Sequence, residues 1–315
     1  MKHIETVSII GLGAIGSYLA GGINNILGDR LRVVADGERY LRIKTDGRII
    51  NGKQHYFNVV TPDYKEEPSD LVIIITKFGQ LRQAAMAVKN QIGPDTIIMC
   101  PLNGVESEDI VAEIYPDNHL LYSLARVAST RRGNEITYSE KLAYIEFGEK
   151  TNDPEKGYSP QVSMVSELFT KAGIDHKIPQ DMILSMWNKF MCNCSENQSS
   201  AVLGIPFGAW HNNVHANYIR EAIMKEVIAV ANAKGIPLSL DMLPKQHQLL
   251  LNVAATARTS TLQDIENGRK TEVEMFSGAI IRMGKELGVP TPINEIFYHA
   301  IKTLEDKNSG EFDYK

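Results

Sequence analysis

Three polar side chains recur every four residues in a stretch that is otherwise largely apolar: Lys189, Asn193 and Asn197. At this spacing they share one face of an α-helix. Trp187 and Phe190, in the same stretch, are typical of a buried helix. Unpaired polar groups are costly in such surroundings, so the pattern favours a bound polar substrate over a solvent-facing stripe.

A second polar cluster begins around Ser260 and continues to Glu272. The sequence predicts that one helix ends near Gly268 and that another begins around Thr271. Thr271 and Glu274 have the spacing of a capping box, which would place Glu272 near the positive end of a helix dipole. Glu272 is therefore either a residue of the site or an ordinary helix-start residue.

Two further polar residues follow apolar, strand-like runs directly. Lys77 comes after the run that ends at Thr76, and Asn103 comes after the run that ends at Cys100. Ligands of doubly wound sheets bind at the carboxyl ends of the strands, so both residues are placed to meet substrate or cofactor. The alternative for Asn103, which precedes a glycine, is an ordinary Asn-Gly turn.

A glycine-rich motif directly follows the first strand-like run, and its residues are Gly11, Leu12, Gly13, Ala14, Ile15 and Gly16. Three glycines in six residues are a weak signal alone, but the position between a strand and a helix strengthens it. In a dinucleotide site the first glycine permits the turn, the second admits the pyrophosphate and the third lets helix pack on strand. The motif therefore predicts binding of a dinucleotide at the helix N-terminus.

Asp36 ends the second strand-like run, at the position where an acidic residue accepts hydrogen bonds from the ribose hydroxyls of NAD. A carboxylate there repels a 2′-phosphate, so Asp36 predicts a preference for NADH over NADPH. Arg39, one helical turn further along, would counter this effect by pairing with a phosphate. The alternative is that Asp36 only caps the turn that follows it.

The elements that carry these residues read as an α/β protein. Buried-strand runs are predicted at 6–10, 31–35, 71–76 and 96–100, with helices at 14–27 and 80–91. This alternation predicts an N-terminal Rossmann-like, doubly wound parallel sheet at 1–178, with added antiparallel strands around 131–134. Helical periodicity, interrupted by three Gly-x-Pro breaks, predicts a C-terminal all-helical domain at 179–315.

Composition excludes several classes of protein. The 33 basic and 38 acidic residues leave a net charge of −5, with no basic run that would bind nucleic acid or an anionic membrane. No apolar run is long enough to cross a bilayer, and no secretory leader is recognisable, so a cytoplasmic location is expected. The three cysteines have no framework spacing, and we predict no metal site.

Taken together, these motifs resemble the ketopantoate reductase family, the 2-dehydropantoate 2-reductases, over nearly the whole chain. The resemblance rests on the order of the glycine motif, Thr76-Lys77, Asn103-Gly104, the Lys189 face, the polar segment 259–264, the segment 269–272 and the closing segment 288–294. It implies reduction of a small 2-keto acid in pantothenate biosynthesis, with NADPH as cofactor. A homodimer through the helical domain is also implied by the resemblance alone.

The resemblance further implies individual roles. Lys189 would be the general acid that protonates the alkoxide formed by hydride addition. Asn193, Asn197 and Ser260 would hold the carboxylate and hydroxyl groups of the substrate. Glu272 would position Lys189 and the nicotinamide end.

By the same resemblance, Asn103 and Lys77 would lie beside substrate and cofactor. One stretch departs from the family pattern. Where the family usually has an arginine that receives the 2′-phosphate of NADPH, this chain has Asp36.

Three functions follow as hypotheses. The first is reduction of 2-dehydropantoate to (R)-pantoate. The second, which Asp36 favours, is an NADH-dependent D-2-hydroxy acid dehydrogenase acting on branched or aromatic 2-keto acids. The third is a non-catalytic NAD(P) sensor, and Lys189 with its polar face argues against it, because a sensor needs no acid there.

Overall fold

The computed structural model describes residues 3–116, 118–127 and 129–312. The chain divides into two compact units, Met1–Ile183 and Leu184–Lys315. The boundary predicted from the sequence, after residue 178, lies slightly earlier.

The first unit alternates strands and helices through most of its length. Its elements in chain order are β1 (Val7–Ile10), α1 (Ala14–Leu27), β2 (Leu31–Val34), α2 (Gly37–Asp46), β3 (Arg48–Ile50), β4 (Lys53–His55), β5 (Asn58–Val60), β6 (Leu71–Ile74), α3 (Leu81–Ala87), β7 (Ile97–Met99), α4 (Ser107–Ala112), β8 (His119–Arg126), β9 (Ser129–Arg132), β10 (Glu135–Tyr138), β11 (Tyr144–Gly148), α5 (Pro160–Lys171) and β12 (His176–Lys177). The single helix predicted at 80–91 is wrong in extent, because 3₁₀ turns at Phe78–Gln80 and Lys89–Gln91 flank α3.

An eight-stranded sheet forms the centre of this unit, in the order β12-β11-β8-β7-β6-β1-β2-β5. Neighbouring strands pair in parallel along the series β5-β2-β1-β6-β7-β8, and β11 pairs antiparallel with β8. Every residue of β1, β2 and β6 is buried, as expected for strands covered on both faces. The chain reverses direction across the sheet between β1 and β6, which is the switch point where doubly wound folds bind ligands.

The first unit also contains a smaller four-stranded sheet, in the order β4-β3-β10-β9. Strands β9 and β10 form the antiparallel pair predicted around 131–134. Ile50 of β3 approaches α1, since a Cβ added at Gly21 would lie 3.0 Å from its side chain. The small sheet therefore faces the helix that starts at the glycine motif.

The second unit contains helices joined by loops, and no strand, among its described residues. Its elements are α6 (Met182–Leu203), which begins just before the unit boundary, α7 (Ala209–Asn212), α8 (Val214–Ala233), α9 (Met242–Leu251), α10 (Ser260–Glu266), a π-helix (Glu274–Gly278), α11 (Ala279–Leu287) and α12 (Pro292–Ser309). Helices α6, α8 and α11 end just before the three Gly-x-Pro breaks, as predicted. The predicted fold class is confirmed. Within the described residues no helix is both long and apolar enough to span a membrane.

Candidate active site

The glycine motif forms the tight turn between β1 and α1. Gly11 has φ +104°, and a Cβ there would lie 2.2 Å from the carbonyl oxygen of Ile75. A Cβ on Gly16 would lie 1.9 Å from the carbonyl oxygen of Gly11. Both positions therefore require glycine for the turn and for the packing of α1 against the sheet.

Gly13, by contrast, faces open space. A Cβ added to it would meet nothing within 4 Å, and Gly13 is the N-cap of α1 without a side-chain cap. The first-turn N–H groups of α1 have no intrahelical acceptors, and no acidic residue lies in that turn. A nucleotide pyrophosphate therefore fits here, because the open side of Gly13 admits it and the helix dipole favours its charge.

Asp36 lies at the end of β2 as the N-cap residue of α2, with an exposed side chain. Its carboxylate makes no capping hydrogen bond to the helix. The alternative that Asp36 only caps the following turn is therefore wrong. The carboxylate lies at the end of β2, where the sequence predicts a contact with a ribose.

Lys77 and Asn103 follow the two strands on the other side of β1. Lys77 is exposed just past β6, and Asn103 is half-buried just past β7, before Gly104 with φ +90°. The buried hydroxyl of Thr76 has no hydrogen-bond partner among the described residues. The glycine turn, Asp36, Lys77 and Asn103 thus follow four adjacent strands of the sheet, β1, β2, β6 and β7.

Sequence reasoning missed a buried carboxyl group five positions after Asn103 in the chain. Glu108 of α4 is only 1% exposed, and its Oε1 accepts a hydrogen bond from the backbone N–H of Ser123 at 3.2 Å. Its Oε2 has no partner among the described residues. Burial raises the pKa of Glu108 to about 8. No sequence pattern distinguishes this glutamate from an ordinary first-turn acid.

The polar face of α6 is organised by hydrogen bonds within the second unit. Asn197 is 8% exposed, and its Oδ1 accepts from the Ser260 hydroxyl at 2.9 Å and from the Thr261 N–H at 3.4 Å. Its Nδ2 donates to Asn193 Oδ1 at 3.5 Å. The structure therefore brings together three of the predicted substrate-binding residues, from two helices distant in sequence.

Ser260 owes its position to the start of α10. Thr259 is the N-cap, and its hydroxyl accepts from the Leu262 N–H at 3.3 Å. Ser260 is then the first residue of the helix, with an exposed side chain directed at Asn197. The cap thus sets the direction from which Ser260 approaches α6.

Lys189 lies on α6, two helical turns before Asn197 on the same face. Its side chain is half-buried, and Phe190 and Met191 beside it are fully buried. The predicted helix, with buried apolar residues next to Lys189 in sequence, is confirmed. Lys189 lies one helical turn before Asn193, which is the first residue of the Asn193–Asn197–Ser260 array along α6.

Glu272 lies on a different segment, just before the π-helix. Its carbonyl oxygen accepts from the N–H groups of Met275 at 3.0 Å and Phe276 at 3.2 Å, so it belongs to the first turn. The predicted capping box is wrong, because the Thr271 N–H, from which Glu274 would accept, donates to Glu305, and the Glu274 carboxylate accepts from Tyr298.

Glu305 replaces the capping box as the anchor of this turn. One of its oxygens, Oε1, accepts from both the N–H and the hydroxyl of Thr271 at 2.7 Å. Lys302 donates to the other oxygen at 3.2 Å. Burial works to raise the pKa of Glu305, but its hydrogen bonds with Thr271 and Lys302 hold it below the usual value. A buried carboxylate from α12 therefore fixes the residue beside Glu272.

A buried polar network ties the π-helix to α6. The Ser277 hydroxyl donates to Gln198, whose Nε2 donates to Asn294 Oδ1 at 3.4 Å. Asn294 Nδ2 in turn donates to Glu226 Oε2 at 2.7 Å. π-Helices of this length recur at functional sites, and this one follows Glu272. Sequence reasoning missed the network, whose only signal is polar Gln198 in a buried helix.

Among the described residues, no group of three or more His, Cys, Asp and Glu side chains is arranged to hold a metal ion. The candidate groups are thus a glycine turn with Asp36, Lys77 and Asn103 in the first unit, and the polar face of α6 with Ser260 and Glu272 in the second.

The order of these features matches one known family. Residues 7–152 match the family model described as ketopantoate reductase PanE/ApbA, and residues 181–305 match the one described as its C-terminal part. The chain belongs to the ketopantoate reductase family. A 2-dehydropantoate 2-reductase of Aquifex aeolicus is 27% identical over 305 residues, covering 94% of this chain and 96% of that protein.

Solved structures agree with this family assignment. A 2-dehydropantoate 2-reductase from Methylococcus capsulatus is 27% identical, with a TM-score of 0.82 over 96% of this chain and 98% of that one. D-mandelate dehydrogenase in complex with NADH and anilino(oxo)acetate is 22% identical, with a TM-score of 0.85 over 96% of this chain and 99% of that one. The second likeness shows a shared fold.

Proposed function

We propose that this ketopantoate reductase family member reduces 2-dehydropantoate to (R)-pantoate, using a nicotinamide cofactor and Lys189 as proton donor. The observation that carries the proposal is the Asn193–Asn197–Ser260 array on the same helix face as Lys189. From the family resemblance we also propose that the chain acts as a homodimer.

The array suits a 2-keto acid for chemical reasons. An amide and a hydroxyl together offer both donors and acceptors, which a carboxylate and a hydroxyl group of the substrate require. Asn197 already uses its Oδ1 within the protein, so its orientation is set before substrate arrives. Preorganised partners of this kind lower the entropic cost of orienting the substrate.

Lys189 would supply the proton and the positive charge that the reaction needs. As the keto carbon is reduced, negative charge develops on its oxygen, and an ammonium group stabilises that charge and then protonates it. The keto group thereby becomes a hydroxyl group, and Lys189 is left neutral until it is reprotonated from solvent. Glu272, held by its anchored turn, would position the ammonium group.

The first unit would hold the cofactor, which when bound supplies the hydride to the keto carbon. The open side of Gly13 and the α1 N-terminus would bind the pyrophosphate, and Asp36 would meet the adenosine ribose. Lys77 and Asn103, which follow β6 and β7, would lie beside the nicotinamide half and the substrate. Asp36 argues for NADH, whereas the family resemblance implies NADPH.

A second candidate is an NADH-dependent D-2-hydroxy acid dehydrogenase for branched or aromatic 2-keto acids. Asp36 and the likeness to D-mandelate dehydrogenase, which was solved with NADH, favour it. Both candidates use the same acid and the same carboxylate-binding array. They differ only in the side chain of the keto acid.

One assay separates the candidates. Oxidation of NADH and of NADPH is followed with ketopantoate, 2-ketoisovalerate, 2-ketoisocaproate and phenylglyoxylate. We expect the highest kcat/KM with ketopantoate. A higher value with phenylglyoxylate or 2-ketoisocaproate would support the second candidate, and turnover of none of the four would refute both.

The role of Lys189 has its own test. Lys189→Ala should lower kcat by about 10²- to 10⁴-fold, the usual contribution of a general acid, with cofactor binding intact. Lys234→Ala, at the exposed end of α8, is the matched control and should leave kcat unchanged. Unchanged turnover in Lys189→Ala would refute the assignment of Lys189 as the proton donor.

A further inference from the structure

Segment 269–273, which carries Glu272, lies between α10 and the π-helix and belongs to no regular helix or strand. Its backbone groups therefore need partners from other elements. One face of α12 supplies them. We call Tyr298, Lys302 and Glu305 the α12 clamp, and their spacing of four and three residues puts them on one side of that helix.

The first arm of the clamp holds the backbone on both sides of Glu272. The buried Glu305 carboxylate accepts from the N–H and the hydroxyl of Thr271, both at 2.7 Å. The Thr271 hydroxyl in turn accepts from the N–H of Val273 at 3.3 Å. The residues before and after Glu272 are thus bonded through one hydroxyl group, and that hydroxyl group is bonded to Glu305.

The second arm holds the first residue of the π-helix, two positions after Glu272. The Tyr298 hydroxyl donates to Glu274 Oε1 at 2.8 Å, and Lys302 Nζ lies 3.9 Å from the same oxygen. Lys302 also donates to Glu305 at 3.2 Å, so it joins the two arms. Burial lowers the pKa of Lys302, but its partners Glu305 and Glu274 raise it above the usual value, so this link stays charged at neutral pH.

The clamped segment packs on α6, close to the predicted substrate-binding array. The side chain of Val273 is 1% exposed and clusters with Ala201 of α6 and Ile301 of α12. Ala201 lies one helical turn after Asn197. Glu272 is therefore next in sequence to a residue that packs at the Asn197 end of the array.

The clamp replaces a simpler way of starting the helix. Glu274 has the spacing to cap Thr271 locally, yet it pairs with Tyr298 instead. The cap is supplied by a carboxylate from α12, and burying a carboxylate is costly unless it is paired and hydrogen-bonded. A local cap would satisfy the backbone equally well, so the clamp does more than begin a helix.

We propose that Tyr298, Lys302 and Glu305 are positioning residues, which hold the chain around Glu272 so that its carboxylate keeps the orientation that the reaction requires. They act through the backbone of segment 269–273 and need no contact with substrate or cofactor. This inference rests on the role of Glu272 in the proposed function, and it adds three residues that no motif in the sequence indicates.

Thr271→Val tests the first arm, because it removes the hydroxyl that joins Glu305 to the Val273 N–H. With the keto acid that the wild type reduces fastest, kcat should fall about tenfold, the fold-change that corresponds to one lost hydrogen bond to a charged group. The KM for that keto acid and the affinity for NADH should change by less than about threefold, because only the orientation of Glu272 is disturbed.

Tyr298→Phe tests the second arm at a half-buried side chain and should also lower kcat while KM is kept. Thr303→Val is the matched control for Thr271→Val. Thr303 is exposed on another face of α12, and its hydroxyl donates to His299 of the same helix. It should leave kcat unchanged, and tryptophan fluorescence verifies that every variant is folded.

A double-mutant cycle with Glu272→Gln separates positioning from general support of the fold. If the clamp acts through Glu272, Thr271→Val should cause no further loss of kcat in the Glu272→Gln background. Independent losses that multiply would overturn the inference, and so would a normal kcat in both Thr271→Val and Tyr298→Phe; the proposed function would stand in either case. A normal kcat in Glu272→Gln alone would refute the role of Glu272 in the proposed function and overturn the inference with it.

Discussion

Glu108 offers the sharpest test of the electrostatics, because its carboxyl group is buried with one oxygen unpartnered among the described residues. Burial raises its pKa from the ordinary value of 4.5 to about 8. The folded chain therefore keeps this proton at neutral pH, whereas the unfolded chain releases it.

The sign and size of the effect follow from proton linkage. Between pH 4.5 and pH 8 the folded state binds one proton more than the unfolded state at this group, so the free energy of unfolding falls as pH rises. The slope is about 1.4 kcal/mol per pH unit. From pH 5 to pH 7 the loss is therefore about 3 kcal/mol, and it levels off above pH 8, where the folded state also ionises.

Glu108→Gln removes the proton while the amide oxygen still accepts from the Ser123 N–H. Relative to wild type, the variant should gain about 3 kcal/mol of unfolding free energy between pH 5 and pH 7. The assay is urea unfolding at several pH values, followed by far-UV circular dichroism, because Trp187 and Trp210 both lie in the second unit. The comparison with wild type cancels the opposite pH dependence of His55, whose pKa is lowered by burial.

Glu113→Gln is the control, since Glu113 ends the same helix but is exposed and pairs with Arg82. Its effect should stay below about 1 kcal/mol and should not change with pH. If the stability curves of Glu108→Gln and wild type run parallel from pH 5 to pH 8, the assignment of a neutral buried Glu108 is refuted.

Three further outcomes are expected. Gly13→Ala should fold normally but bind cofactor more weakly in a titration, because its Cβ enters the open space in which the pyrophosphate would lie. Gly16→Ala should instead be destabilised, because its Cβ collides with the backbone. Normal cofactor affinity in Gly13→Ala would contradict a pyrophosphate site at the glycine turn. Ser260→Ala should lower kcat/KM about tenfold, mainly through KM, and unchanged kinetics would exclude it from the substrate site. Glu305→Gln should lower the unfolding free energy of the second unit by about 1–3 kcal/mol, read by tryptophan fluorescence, and a stability equal to wild type would show that its hydrogen bonds are replaceable.

Much of the fold was predictable because its signals are local. The limits of α1 follow from the glycine motif before it and Gly28 after it, and the predicted 14–27 agrees with Ala14–Leu27. The Gly-x-Pro breaks end helices because a left-handed glycine and a proline both stop helical hydrogen bonding. The four-residue spacing of Lys189, Asn193 and Asn197 needs only helix geometry to place them on one face.

The errors have a common origin in long-range contacts. The capping box at Thr271 has the correct spacing, but buried Glu305, far along the chain, takes the place of Glu274 as acceptor of the Thr271 N–H. The hydrogen bond that Glu108 accepts from the Ser123 N–H joins α4 to β8, 15 residues further along the chain.

The sequence by itself determined the chemistry that is available: a glycine turn for a dinucleotide, a lysine and amides on one helix face, and an acid at the end of β2. Periodicity and turn residues act over a few residues, so this information is local. Only the tertiary structure decided which of these groups meet. It directs Ser260 at Asn197, leaves the Asp36 side chain without a capping hydrogen bond and buries Glu108 against β8, because helix packing and strand register set such contacts.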